Sequence, residues 1–349
     1  MNPLKIAVVG PGLMGNKHIE LLKNAPDCQL SALVAPDRIS HRNLATKLGV
    51  PLYHSIAKMI DCETLDGVII ASPNIYHADQ AIACINADVP VLIEKPISHT
   101  SETGVKIVDL AKKKMARVLV GHHRAHSPIL NAARQIIQSN KIGNIVGVMG
   151  SALFYKPTDY FEAGPWRKEI GGGPILINLI HEIGNLRYLC GEIVAVQAMA
   201  SSLTRKFAVE DTVVINFQFE NGALGVFILS DTAASAKSWE QTSQENDIYA
   251  SYCDEDCYHI AGTLGSLSIP TMRLKFFEIA QNASWLNPFS EMAISFNRID
   301  PLKCQLTHFV KVIKGESDAL VTALDGLKNL RVTEAISESV NLKRTIFIN

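Results

Sequence analysis

Near the N-terminus, Gly10, Gly12 and Gly15 stand in the run Gly-Pro-Gly-Leu-Met-Gly, directly after an apolar stretch at 4–9 and directly before an amphipathic one at 13–24. That is the context in which a G-x-G-x-x-G pattern binds a dinucleotide. The first glycine permits a tight turn, the second lets the backbone approach a pyrophosphate, and the third lets helix and strand pack closely. The phosphates would rest on free N–H groups at the helix start, around Leu13 and Met14. About 20 residues on, a carboxylate is expected to bind the ribose hydroxyls of NAD. The second apolar run, 29–35, ends instead at Ala35; Asp37 comes after Pro36, and Arg38, His41 and Arg42 follow. A missing carboxylate removes repulsion against a 2′-phosphate, and a guanidinium can bind one through two hydrogen bonds. The turn therefore predicts a nicotinamide dinucleotide also contacted by Asp37 and Arg38. NAD and NADP both stay open, with the balance leaning to NADP.

Two further residues could move protons. Lys95, in Glu94-Lys95-Pro96, lies just past the carboxyl end of the apolar run 89–94, where ligands bind in doubly wound sheets. Hydride transfer to or from an alcohol carbon needs a base or acid for the hydroxyl proton, and a partly desolvated lysine can serve. Glu94 would orient Lys95 or contact the cofactor ribose, and Pro96 stiffens the turn. His181 follows the triple glycine Gly171-Gly172-Gly173 on a helix predicted at 175–189, among the apolar Ile177 and Ile180. It reads either as a satisfied core histidine or as the group that binds the reacting oxygen or relays its proton.

The elements that would carry these residues alternate regularly in the first third. Apolar runs at 4–9, 29–35, 67–71, 89–94 and 118–121 are separated by helical stretches at 13–24, 40–48, 77–87 and 101–114. Continuous apolar strands between helices predict a parallel sheet covered on both faces, hence an α/β, doubly wound Rossmann domain over 1–123. The pattern then changes. After a helix at 129–139 and a long strand at 144–155 comes a Gly/Pro-rich stretch from Gly164 to Pro174, and from Ile193 onward successive strands read as hairpins. The clearest pair, 213–220 and 223–230, flanks Asn221-Gly222, a strong turn signal. The stretch 281–300 reads as irregular, helices follow at 302–314 and 324–342, and 345–348 reads as a last edge strand. Residues 124–349 are thus expected to form an α+β domain with a mainly antiparallel sheet.

Four further segments carry a family resemblance: Ala71-Ser72-Pro73-Asn74-Ile75-Tyr76-His77, Glu94-Lys95-Pro96, Gly121-His122-His123-Arg124, and the triple glycine followed by Asn178 and His181. Their order and spacing resemble the glucose–fructose oxidoreductase and inositol dehydrogenase family (Gfo/Idh/MocA), as do the later Glu210-Asp211-Thr212 and Asp325-Gly326-Leu327. The resemblance implies a C-terminal domain with a large open sheet that often mediates oligomers, here a homodimer or homotetramer. It also implies a cis Lys95–Pro96 bond, Lys95 and His181 as catalytic residues, and Ser72, Pro73, Asn74 and His77 beside the nicotinamide ribose. His123, Arg124, Tyr155, Trp166, Arg167 and Asn178 are candidates for the substrate side. The family often has an Asp four residues before the histidine and another three after it. These positions are Ile177 and Gly184 here, which implies a recognition pattern unlike that of inositol dehydrogenase.

Composition narrows the classes. A net charge of −1 argues against a general polyanion binder, so no nucleic-acid partner is expected. The seven cysteines are odd in number and scattered, which argues against a disulfide framework, and Cys253, Cys257 and His259 lack the second pair of a zinc site, so no metal is expected. Lys5 leads straight into a strand without a cleavage pattern, and no apolar run reaches the ~18 residues that span a bilayer. A cytoplasmic protein with no membrane partner is the expectation. The leading reading is an NAD(P)-dependent oxidoreductase acting on a sugar, cyclic polyol or related hydroxy acid. Two alternatives stay open: a cofactor-binding regulator or scaffold without turnover, and NAD-assisted glycosidic cleavage or elimination without net redox.

Overall fold

The structure is a computed structural model that describes residues 2–348. The chain divides into two compact units, one made of the residues up to His123 together with Leu302–Leu330, the other of Arg124–Pro301 and the residues from Arg331 onward. A second domain running unbroken from 124 to 349 is therefore corrected: residues 302–330 pack with the first unit.

The first unit begins with β1 (Leu4–Val9), α1 (Leu13–Lys23), β2 (Cys28–Val34), α2 (Ile39–Leu48), β3 (Leu52–Tyr53) and α3 (Ile56–Cys62), and continues with β4 (Gly67–Ile70), α4 (His77–Asn86), β5 (Val91–Glu94), α5 (Ser101–Lys114) and β6 (Val118–Gly121). The six strands are all parallel in the order β3-β2-β1-β4-β5-β6. Ile6, Val8, Ile69, Ile70, Leu92 and Ile93 are wholly buried, which is why these strands read as unbroken apolar runs. β3 and α3 escaped the sequence reading. β3 is a two-residue edge strand, too short for a pattern, and α3 starts from Ser55, whose hydroxyl accepts from Lys58 N–H at 3.2 Å.

The second unit opens on α6 (Pro128–Gln138), capped by the Ser127 hydroxyl and led by Pro128, the pairing that best satisfies a helix start. Then come β7 (Ile145–Leu153), α7 (Thr158–Glu162), a π-helical turn at Ile175–Leu179, α8 (Ile180–Cys190), β8 (Ile193–Ser201), β9 (Thr212–Phe219), β10 (Leu224–Ser230) and α9 (Trp239–Thr242). β11 (Tyr258–Gly262), β12 (Gly265–Ile269), β13 (Arg273–Phe276) and β14 (Ser290–Ala293) follow. With β15 (Ile346–Phe347) the strands form a nine-stranded sheet in the order β14-β13-β12-β11-β7-β10-β9-β8-β15. Every neighbouring pair is antiparallel except β7 with β10. β9 and β10 alternate buried and exposed residues: Val213, Ile215, Phe217, Phe227 and Leu229 enter the core. The hairpin closes at Asn221-Gly222 with Phe219 N–H donating to Ala223 O at 2.9 Å. β14 corrects the irregular reading of 281–300; its side chains are mostly exposed, so no buried alternation marks it.

Two long helices, α10 (Pro301–Lys314) and α11 (Ala323–Leu342), precede β15. α10 packs on the first unit, where Arg117 donates to Ile313 O at 2.9 Å, and the segment after it bonds to β6, with Val120 N–H donating to Val321 O at 2.9 Å. The unit boundary falls inside α11. Beyond it, Val332, Ala335 and Ile336 belong to the second unit's core, and Ser339 accepts from Ala198 N–H at 2.9 Å.

Candidate functional site

In the first unit the candidate residues gather at the carboxyl ends of adjacent strands. Chain direction across the sheet reverses between β1 and β4, the switch point where doubly wound sheets bind ligands. Gly10 ends β1 and Ser72 follows β4. Gly10 has φ +82°, and a Cβ there would lie 2.5 Å from Ser72 Cα, so only glycine fits both the conformation and the approach. A Cβ on Gly15 would meet Gly10 O at 2.1 Å, which is the close helix–strand packing expected of the third glycine. A Cβ on Gly12 would meet nothing within 4 Å. Gly12 is also the N-cap of α1, with no side-chain cap and no acid in the first turn. Space above the backbone, uncapped amides and no competing carboxylate suit a pyrophosphate.

Around this turn the predicted residues separate by role. The Ser72 hydroxyl donates to Gln80 Oε1 at 2.6 Å, and Pro73 leads into a 3-10 turn at Asn74–Tyr76. His77, expected beside a ribose, is instead buried. Its Nδ1 lies 2.8 Å from Pro96 O and its Nε2 2.8 Å from Ser72 O, so the ring braces the loop after β4 against the loop after β5. Burial lowers its pKa, partly offset by those two carbonyls. The Lys95–Pro96 bond is cis, as the resemblance implies. Glu94, expected to orient Lys95 or contact a ribose, is buried, with Oε1 2.7 Å from His18 Nε2 and Oε2 accepting from Lys95 N–H at 3.3 Å. His18 was not anticipated. The available signal was its position three residues after Gly15, on the buried stripe Gly15, His18, Ile19, Leu22 of α1, since a core-facing histidine needs a partner.

At the end of β2, Asp37 and Arg42 form an exposed ion pair at 3.3 Å, Arg38 is the N-cap of α2, and His41 Nδ1 lies 2.8 Å from Pro36 O.

In the second unit, Asn178 lies in the π turn and His181 on α8, with His181 buried. Glu210 fixes the start of that turn by accepting from Ile175 N–H at 2.9 Å, and burial raises its pKa. A lysine that sequence reasoning missed, Lys156, donates to Asn178 Oδ1 at 2.6 Å and is itself buried. It sits 4.8 Å from the Tyr160 ring, on which Arg167 also stacks at 3.9 Å. Asn178, expected to face substrate directly, thus has its amide oxygen engaged by a cation. Tyr155 and Trp166 are exposed and His123 is half-buried.

Arg124 is a clear correction. Expected to hold a ligand, it is buried and paired with Glu182 Oε1 at 2.5 Å and with Glu240. Burial opposes its charge, but the two carboxylates outweigh that and raise its pKa. Glu182 also accepts from Tyr258, which in turn accepts from Asn185 at 2.9 Å. Glu182 therefore stands next to His181 in sequence while both its oxygens serve the core, and it does not replace the acids withheld at Ile177 and Gly184. Beside this network Glu245 accepts from Ser127 at 2.5 Å and from Trp239 Nε1 at 3.0 Å; burial pushes its pKa up to about 7.

Comparison with known proteins agrees with this architecture. Residues 4–122 match the oxidoreductase family with an NAD-binding Rossmann fold, and residues 130–268 match the GFO/IDH/MocA C-terminal domain. The chain is 26% identical to the rhizopine catabolism protein MocA of Rhizobium meliloti, over 97% of this chain and 95% of that one. It is also 26% identical to a myo-inositol 2-dehydrogenase of Thermotoga maritima, over 98% of each. Among solved structures, the WlbA dehydrogenase of Bordetella pertussis, in complex with NADH and UDP-GlcNAcA, superimposes with a TM-score of 0.80 at 19% identity, covering 100% of this chain and 99% of that one. The glycine turn at the switch point and the matches along both units together make this chain an NAD-binding oxidoreductase of the Gfo/Idh/MocA family.

Proposed function

We propose that this oxidoreductase moves a hydride between a nicotinamide dinucleotide and a hydroxyl or carbonyl carbon of a small polyhydroxylated substrate: a sugar, cyclic polyol or related hydroxy acid. The reading rests on Lys95, which follows β5, two strands along from the glycine turn at the end of β1. The bound dinucleotide supplies the hydride acceptor or donor. In oxidation Lys95 Nζ takes the hydroxyl proton as the C–H hydride leaves; in reduction it returns that proton to the new alkoxide oxygen. His181 assists at the reacting oxygen. The first unit serves the cofactor and the second serves substrate recognition. The polyol class is supported by the similarity to the myo-inositol 2-dehydrogenase of Thermotoga maritima, while Ile177 and Gly184 set the contact pattern apart from an inositol dehydrogenase that carries acids there.

We further infer a preference for NADP, since Arg38 and Arg42 follow a strand end without a carboxylate at Ala35, and self-association through the second unit's sheet. That sheet leaves Met149, Met199, Val214, Leu224 and Val226 exposed, and large apolar side chains exposed on one sheet support this reading.

The test is NAD(P)H absorbance against a panel of sugars, inositols and sugar acids, run with the wild type and Lys95→Ala. Lys95→Ala is expected to lower kcat by about 10²- to 10⁴-fold while calorimetry still detects dinucleotide binding. Dinucleotide binding with no turnover on any member of the panel would favour a regulator or scaffold. Absence of both would defeat the proposal.

A further inference from the structure

We propose that His18 is a positioning residue for Lys95, acting through Glu94. The imidazole of His18 is wholly buried under α1, and its Nε2 lies 2.7 Å from Glu94 Oε1. Among the described residues, its other nitrogen, Nδ1, has no hydrogen-bond partner. The hydrogen therefore belongs on Nε2, donated to the carboxylate, because a buried N–H without an acceptor costs more than a bare ring nitrogen. The second carboxylate oxygen, Oε2, accepts from the backbone N–H of Lys95 at 3.3 Å. Room for the carboxylate comes from Gly121 on β6, where a Cβ would stand 3.1 Å from the Glu94 carboxyl carbon.

One buried carboxylate thus joins the helix that opens on the glycine turn to the peptide that carries Lys95. Its orientation is set by His18 at one oxygen and by the Lys95 amide at the other. Without the His18 donor, the buried Glu94 carboxylate loses its hydrogen bond at Oε1 and must turn toward another donor, and the hydrogen bond to the Lys95 amide goes with it. The glycine turn has its own bonds, Gly10 N–H to Val34 O and Gly12 N–H to Gly10 O, both at 2.8 Å, and these do not pass through His18. The effect of losing His18 therefore falls on the placement of Lys95 and spares the phosphate-binding turn. Misplacing a reacting group by about 1 Å costs on the order of 10²-fold in rate.

This inference rests on the proton-transfer role of Lys95 given above, so the experiment separates the two. His18→Leu, His18→Gln, Glu94→Gln and Lys95→Ala are compared with the wild type by three measurements. These are dinucleotide affinity by calorimetry, kcat and KM on the best substrate of the panel, and the rate of pulsed acylation of the Lys95 amine followed by mass spectrometry. The last reads the surroundings of Lys95 without turnover. His18→Leu is expected to keep dinucleotide affinity within about threefold, to lower kcat about 10- to 100-fold, and to change the Lys95 acylation rate. His18→Gln, which keeps a side-chain N–H donor, recovers most of both. Glu94→Gln, which keeps the side-chain shape, follows His18→Leu and carries the test if the leucine variant does not fold. Equal behaviour of His18→Leu and His18→Gln, or an unchanged acylation rate, would overturn the proposal and leave His18 as packing. Wild-type turnover in Lys95→Ala would instead overturn the role of Lys95, and the acylation comparison would still decide on His18.

Discussion

Replacing Glu245 by Gln should alter how stability depends on pH, and the size of the change follows from the burial of this one carboxyl. Glu245 lies beside the Arg124–Glu182 network, accepting from Ser127 and Trp239, and burial lifts its pKa from the usual 4.5 to about 7. Between those two values the folded protein holds a proton that the unfolded chain has released. Stability from this group is therefore fully present below pH 4.5 and is lost as pH rises through 7. At about 1.4 kcal/mol per pH unit, the loss amounts to about 3 kcal/mol. The amide in Glu245→Gln carries no charge at any pH and brings no such loss. Urea unfolding of wild type and Glu245→Gln at a series of pH values isolates the group, because the other titrating residues are common to both. Tryptophan emission is a suitable probe: of the three tryptophans, Trp166 and Trp285 are 56% and 97% exposed, while Trp239, bonded to Glu245, is 3% exposed. The wild type should lose about 3 kcal/mol relative to the variant between pH 4.5 and 8. Parallel curves, or a wild type that gains on the variant as pH rises, would refute the reasoning.

Other outcomes follow from the same geometry. Gly15→Ala places a Cβ 2.1 Å from Gly10 O, so the glycine turn must shift; dinucleotide affinity by calorimetry should fall about 5- to 150-fold, from about 1–3 kcal/mol of strain, with circular dichroism unchanged. Arg124→Met leaves Glu182 and Glu240 without their cation and should destabilise the fold by about 3–5 kcal/mol in denaturant unfolding, with part recovered by adding Glu182→Gln. If NADP is preferred, Arg38→Ala should weaken NADP about 10- to 100-fold, the value of a charge-assisted hydrogen bond, and leave NAD affinity nearly unchanged in fluorescence titration. Charged substitution at Leu224 and Val226 should shift the scattering mass of any oligomer to that of one chain.

Much of the first unit was legible because its signals are local. A strand buried on both faces has apolar residues at every position, as in Gly67–Ile70, and the order of such runs with helices between them dictates a parallel sheet. The glycine turn could be read because Gly10 and Gly15 answer steric demands at strand ends and within the turn itself, while Gly12 leaves open space over the helix start. The hairpin at Asn221-Gly222 was legible for the same reason. β3, α3 and β14 were not, since short or exposed elements carry no periodicity.

What tertiary structure alone decided is which polar side chains are turned inward and what meets them there. Arg124 is enclosed by Glu182, 58 residues on, and Glu240, 116 residues on, and Lys156 meets Asn178. His77 braces two loops, and Glu94 meets His18. A charge buried without a partner is too costly to persist, so each of these groups had to find one, but the partner lies far along the chain, where no local spacing records it. The sequence alone thus determined the kind of cofactor and the strand ends that serve it, and the folded chain determined which side chains near those ends are still able to reach a ligand.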